Sequence, residues 1–151
     1  MPEEEKQKLK QILENAIKKE EYSYQIYMRA IDMTEVDSVK TLLQKLADQE
    51  LLHKEKLETL DFSKIGEKVI PEKIGKIDVA EELMMTPLEE FGSLSELFKF
   101  AMKKEVEARE MYRQLAESVD DENAKNLFSM LSEEEENHRQ ILLDTMKEIG
   151  L

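Results

Sequence analysis

Four glutamates and two histidines carry the chemistry legible in this chain. Glu20, Glu50, Glu105 and Glu135 each stand on an otherwise apolar helical stripe. His53 and His138, the only histidines in 151 residues, each follow a stripe glutamate by three positions. Residues i and i+3 share a helix face about one turn apart, so each Glu-x-x-His pair can present a carboxylate and an imidazole to one point. Four carboxylates gathered in an interior are untenable alone. An uncompensated buried charge costs several kcal/mol after relaxation, and like charges drive one another's protonation. Two divalent cations would neutralise the four negative charges. Carboxylate oxygen mixed with imidazole nitrogen suits Fe, Mn or Zn better than Mg or Ca. Tyr27 and Tyr112 each lie seven residues beyond a stripe glutamate. They could donate hydrogen bonds to such ligands, or be core aromatics whose hydroxyls are satisfied elsewhere. The run Glu133 to Glu136 reads as a solvated face on which only Glu135 falls on the stripe.

Four long amphipathic helices must position these residues. The periodicity predicts them at about 2–32, 35–60, 94–119 and 121–149, with no sustained strand-like alternation. The inward positions of the first read Leu9, Leu13, Ala16, Glu20, Ser23 or Tyr24, Tyr27 and Ile31. Those of the fourth read Ala124, Phe128, Leu131, Glu135, His138, Leu142, Thr145 and Ile149. Spacings that alternate between three and four give a bundle seam. Start signals stand at Thr34–Asp37, at Ser93 with Glu96, and near Asp120, and Gly150 marks a stop. Short connections make helices 1–2 and 3–4 antiparallel hairpins. A long crossover, about 61–92, joins them, because a helix of about 25 residues is roughly 37 Å long and the chain must return along it. It carries Pro71, Gly66, Gly75 and a helix-start signal at Thr86-Pro87-Leu88-Glu89. The expected architecture is all-α: one four-helix-bundle domain over 1–151, two antiparallel hairpins joined by a long crossover.

The chain also repeats itself. Residues 16–27 align with 101–112 and residues 42–57 with 127–142, always offset by 85 positions: 20 to 105, 27 to 112, 50 to 135, 53 to 138. Apolar residues recur by chance in helical sequences; polar residues in a common register do not. Two hairpins related by a pseudo-twofold axis follow.

Glu20, then Glu50-Leu51-Leu52-His53, then Glu105, then Glu135-Glu136-Asn137-His138 resembles the pattern of ferritin-like di-iron carboxylate proteins, the rubrerythrin branch above all. The resemblance covers the four helices and omits the crossover. It implies that Glu20 and Glu105 each hold one iron, that Glu50 and Glu135 bridge the pair, and that His53 and His138 ligate terminally. It further implies a di-iron oxidoreductase that reduces H2O2 or O2. Rubrerythrins carry an extra glutamate one turn after the second lone glutamate, which takes part in iron movement; here that position is Ala108. They also carry a four-cysteine iron domain. These residues include no cysteine, so electrons are expected from an external donor protein. Bacterioferritins place a haem-ligating Met directly after the first bridging glutamate, where this chain has Leu51, and the chain ends without the short helix of cage-forming ferritins. The alternatives are an iron-binding ferroxidase for storage or detoxification, and a bundle whose metals are purely structural. Two Fe ions are the expected cofactors, with Mn or Zn also fitting the donors.

Composition bounds the rest. With 35 Asp and Glu against 22 Lys and Arg, the net charge is −13, which repels a phosphate backbone and excludes nucleic acid as a partner. Lys64, Lys68, Lys73 and Lys76 in the crossover could dock an acidic electron donor but read first as ordinary surface charge. The absence of cysteine rules out disulfides and thiolate sites. No apolar run suggests a membrane span or a leader, so a cytoplasmic location is expected. A homodimer is the family expectation. Ser23 and Ala108, one turn from the lone glutamates, either leave room for O2 or peroxide or permit close helix packing.

Overall fold

The computed structural model describes residues 2–77 and 85–151. Four long helices dominate it: α1 (Pro2–Asp32), α2 (Asp37–Glu58), α5 (Leu94–Ser118) and α6 (Glu122–Glu148), with short α3 (Phe62–Gly66) and α4 (Pro71–Ile74) between the hairpins. A 3-10 turn, Leu88–Glu90, precedes α5. The fold is a ferritin-like helical bundle without strands among the described residues; one isolated bridge joins Val69 to Val119. No described helix is long and apolar enough to cross a membrane.

Local chemistry accounts for the helix ends. Ser93 caps α5, its Oγ accepting from Glu96 N at 3.2 Å, while Glu96 Oε2 reaches back to Gly92 N at 3.2 Å. Ser93→Ala is expected to cost about 1 kcal/mol, read as a lower urea midpoint at unchanged slope; an unmoved midpoint would contradict the cap. Asp121 caps α6 by accepting from Ala124 N at 3.0 Å. At the far end Gly150, at φ 75°, lets Leu151 N bond Met146 O at 2.9 Å and Gly150 N bond Lys147 O at 3.4 Å. That pairing is a Schellman stop, which needs the left-handed backbone glycine adopts freely. The start of α2 differs from the sequence expectation. Its cap is Val36, with no side-chain bond, and Thr34 Oγ1 instead accepts from Val36 N at 3.2 Å in the turn.

Packing is closest within the hairpins α1–α2 and α5–α6, which meet along α1–α5 and α2–α6. Contacts between Glu20 and Tyr112 and between Tyr27 and Glu105 run in opposite chain directions, so α1 and α5 are antiparallel. The same holds for α2 and α6, where Glu50 meets His138 and His53 meets Glu135. Helices α2 and α5 are therefore parallel, and the connection between them must travel the length of the bundle. On the way α3 and α4 lean on α1, and α4 also on α5. Ile65, Ile74 and Ile77 join the core there, Ile70 N bonds Ser118 O and Asp120 N bonds Lys68 O, each at 2.8 Å. The crossover expected over 61–92 thus contains two short helices, and its residues 78–84 lie outside the described ones. The start signal at Thr86-Pro87-Leu88-Glu89 yields only the 3-10 turn.

Two apolar clusters fill the bundle. One, with Leu9, Ile12, Leu115 and Phe128, lies toward the start of α1; the other, with Ile26, Leu43, Phe98 and Leu142, lies toward its end. Neither contains Glu20, Glu50, His53, Glu105, Glu135 or His138. Those six side chains form a polar layer between the clusters.

Candidate metal centre

Helix α1 contributes Glu20, α2 Glu50 and His53, α5 Glu105, and α6 Glu135 and His138, none more than 2% exposed. Their donor atoms fall into two groups, each within 4.8 Å: Glu20, Glu50, His53 and Glu135, and Glu50, Glu105, Glu135 and His138. Glu50 and Glu135 belong to both. His53 Nδ1 lies 3.0 Å from Glu135 Oε1 and 3.3 Å from Glu20 Oε2. His138 Nδ1 lies 2.9 Å from Glu50 Oε1 and 3.7 Å from Glu105 Oε2. The two imidazoles stack 5.7 Å apart at 10°.

The tyrosines bond the two lone glutamates. Tyr27 donates to Glu105 Oε1 at 2.5 Å and Tyr112 to Glu20 Oε1 at 2.6 Å, each crossing to the other hairpin. Burial first, then nearby carboxylates, holds both phenols well above 10, so they remain donors. With one oxygen of each lone glutamate so engaged, the other is left open. Glu20 Oε2, Glu105 Oε2, both oxygens of Glu50, Glu135 Oε1 and the Nδ1 atoms of both histidines are buried without a hydrogen-bond partner. Unpaired buried polar atoms are costly and uncommon, and here they converge on two points. A pair of metal ions fits them, because each orphan is a lone-pair donor and each group mixes carboxylate oxygen with imidazole nitrogen.

Sequence reasoning missed two neighbours. Gln49 Oε1 lies 2.7 Å from His138 Nε2, and Glu134 Oε1 lies 3.5 Å from His53 Nε2. Glu134, in the run expected to be solvated, is half-buried. The offset of 85 that links the ligands also links 49 to 134, and was the available signal. Glu136 does face outward, held by Arg109 at 2.5 Å and Arg139 at 2.7 Å, which lower its carboxyl to about 2.

Without metal the layer resists ionisation. Burial, reinforced by the neighbouring carboxylates, raises Glu50, Glu105 and Glu135 well above 4.5. Burial opposes charge on His53 too, but contact with Glu20 and the charges of Glu20 and Glu134 outweigh it and hold the ring above 6.5. Burial and the proximity of His53 push His138 down to about 3. The raised groups favour the fold while protonated and lose that contribution as pH climbs through their folded pKa values. His138 has the opposite sign, and its contribution is already complete above 6.5. As pH rises above 6.5 the melting temperature of chelator-treated protein should therefore fall; a flat or rising profile would contradict the buried acidic layer.

An opening between α1 and α5 ends on Glu20. It is lined by Ser23 and Ala108, with Lys104, Glu107 and Met85 toward the outside, and encloses about 10 Å³. That is room for about one water-sized molecule.

Comparison with known proteins agrees with this arrangement. Residues 96–151 match the family model Rubrerythrin. That match covers most of the second hairpin. The hairpin supplies Glu105, Glu135 and His138, and α1–α2 supplies the same residue types at an offset of 85. A hypothetical protein from Pyrococcus furiosus shares the fold at TM-score 0.70 and 24% identity, over 92% of this chain and 88% of that one. A search of the curated proteins finds no match. Rubrerythrin-type likeness therefore rests on α5 and α6, while the bundle as a whole rests on its geometry.

Proposed function

We propose that the protein is a di-iron carboxylate oxidoreductase that reduces H2O2 or O2 with electrons from an external donor protein. The observation that carries this reading is the opening onto Glu20. A purely structural metal site is closed, whereas a reactive one keeps an accessible position, and the space beside Glu20 holds about one water-sized molecule. Glu50 and Glu135 would bridge, Glu20 with His53 and Glu105 with His138 completing the two positions. When bound, an iron pair supplies two electrons together, so that H2O2 takes up 2 e⁻ and 2 H⁺ and leaves as 2 H2O. Tyr27 and Tyr112 orient the lone carboxylates and keep protons close to them. The two apolar clusters exclude bulk water from above and below.

The test is reconstitution with Fe(II) under anaerobic conditions, elemental analysis, then absorbance on adding H2O2 or O2. Two irons per chain, oxidised rapidly by either oxidant and re-reduced by an added donor, support the proposal. Two ions inert to both oxidants would make the centre structural. A second reading, Fe(II) oxidation for storage or detoxification, is favoured by a separate cleft of about 210 Å³ between α2 and α6, where Glu134 and Asn137 lie beside His138. Retention of many more than two irons per chain after aerobic loading would select it.

A further inference from the structure

The pseudo-twofold symmetry of the centre holds for its ligands and breaks just outside them. Glu20 and Glu105, Glu50 and Glu135, His53 and His138, and Tyr27 and Tyr112 are identical pairs. The residue preceding each shared glutamate is not: Gln49 in one half corresponds to Glu134 in the other. Both histidines point Nδ1 at the cluster and Nε2 away from it. Gln49 Oε1 meets the outward nitrogen of His138 at 2.7 Å, and Glu134 Oε1 meets that of His53 at 3.5 Å.

We propose, on the di-metal reading above, that Gln49 and Glu134 are positioning residues that make the two metal sites unequal, so that a first divalent ion occupies the Glu20, Glu50, His53 and Glu135 group. Gln49 Oε1, at 2.7 Å, selects for His138 the tautomer that carries its hydrogen on Nε2 and leaves the Nδ1 lone pair for metal. Glu134, at 3.5 Å and without a hydrogen bond to His53 Nε2, acts on that ring as a nearby negative charge. A carboxylate stabilises a cation held at the ring's other nitrogen more than a neutral amide does. Its charge approaches the outward nitrogen of His53, and the corresponding residue at that nitrogen of His138, Gln49, carries none. Gln49 fixes the His138 ring without that gain. The shared Glu50 and Glu135 couple the two ions, but that coupling is common to both sites and cannot rank them. The ranking comes from the outer pair.

Cobalt(II) alone is the probe, titrated into the metal-free full chain and followed by its visible absorption and by paramagnetic shifts of the histidine ring protons. In the native sequence the first equivalent should shift the His53 ring and leave His138 nearly unmoved. Glu134→Gln should weaken the first binding step by about tenfold, the lower end of what loss of an outer carboxylate costs, and spread the first ion over both histidines. Gln49→Glu should strengthen the second step by a similar factor. A merely structural role would not tighten any site, so this gain separates positioning from folding. If one equivalent perturbs both rings equally in the native protein, or if Glu134→Gln leaves both steps unchanged, the inequality is overturned while the di-metal reading stands. If no cobalt binds at all, both fall together.

Discussion

Two equivalents of Fe(II), added without oxygen, should raise the melting temperature of the metal-free protein by more than about 10 °C, and a strong chelator should return it to its starting value. The size follows from mass action. An ion present at about a thousand times its dissociation constant stabilises the folded state by about 4 kcal/mol. For a chain near 150 residues each kcal/mol moves the melting point by about 2–4 °C. One ion alone thus accounts for about 8–16 °C, and the second adds to it. The structural reason is the layer of open donor atoms, which in the metal-free state lack partners and must otherwise hold protons to stay buried. Differential scanning fluorimetry with and without metal measures the shift. A change below about 2 °C, less than 1 kcal/mol at that conversion, would mean that these residues do not gather metal.

Glu50→Gln and Glu135→Gln should each abolish binding of the ion pair and at the same time stabilise the metal-free fold. Each glutamate faces both groups of donors, so its loss removes one ligand from each. The penalty should exceed the about 10- to 100-fold that loss of an outer hydrogen bond costs. An amide of the same shape carries no charge, and in the absence of metal it relieves the repulsion that raises both carboxyls. Glu136→Gln is the control, because that side chain lies on the surface with Arg109 and Arg139. Exposed ion pairs contribute less than about 1 kcal/mol, so this variant should keep both ions with little change in stability. Metal content by elemental analysis and chelated melting points decide together. Equal metal content in all three variants would sink the assignment of ligands.

The long helices were legible because each combines a seam with end signals that act locally. Ser93 with Glu96, Asp121 and Gly150 make the same contacts in the folded chain that they would make in a short peptide. Where an end depends on tertiary contact, the reading drifted: α2 starts behind Val36, which has no capping side chain. The same holds for α3 and α4. At 5 and 4 residues they are too short to show a period, and they form because Ile65 and Ile74 reach the core. On α1 the single seam understated burial. Ile12, Tyr22 and Ile26 are buried as well, because α2, α5, α3 and α4 cover this helix from several directions.

At the centre, the register of repeated polar residues named the six side chains that the structure brings together. Their partners were harder to foresee. Tyr27 bonds Glu105 across the bundle, a partner that its spacing from Glu20 does not name. Gln49 and Glu134 sit one residue from the seam, turned about 100° around the helix, where a polar side chain ordinarily faces water. Only the approach of the opposite helix brings them behind an imidazole, and no pattern within one helix encodes that approach.

The contacts of the outer residues pass from one hairpin to the other: Tyr27 to Glu105, Tyr112 to Glu20, Gln49 to His138, Glu134 beside His53. Neither hairpin contains a whole metal position. The molecule is in this respect a dimer written in a single chain, and the crossover acts as a tether. It turns a second-order encounter between two half-sites into a first-order closure within one molecule. Cutting that tether would make assembly of the centre depend on protein concentration, where in the intact chain it does not.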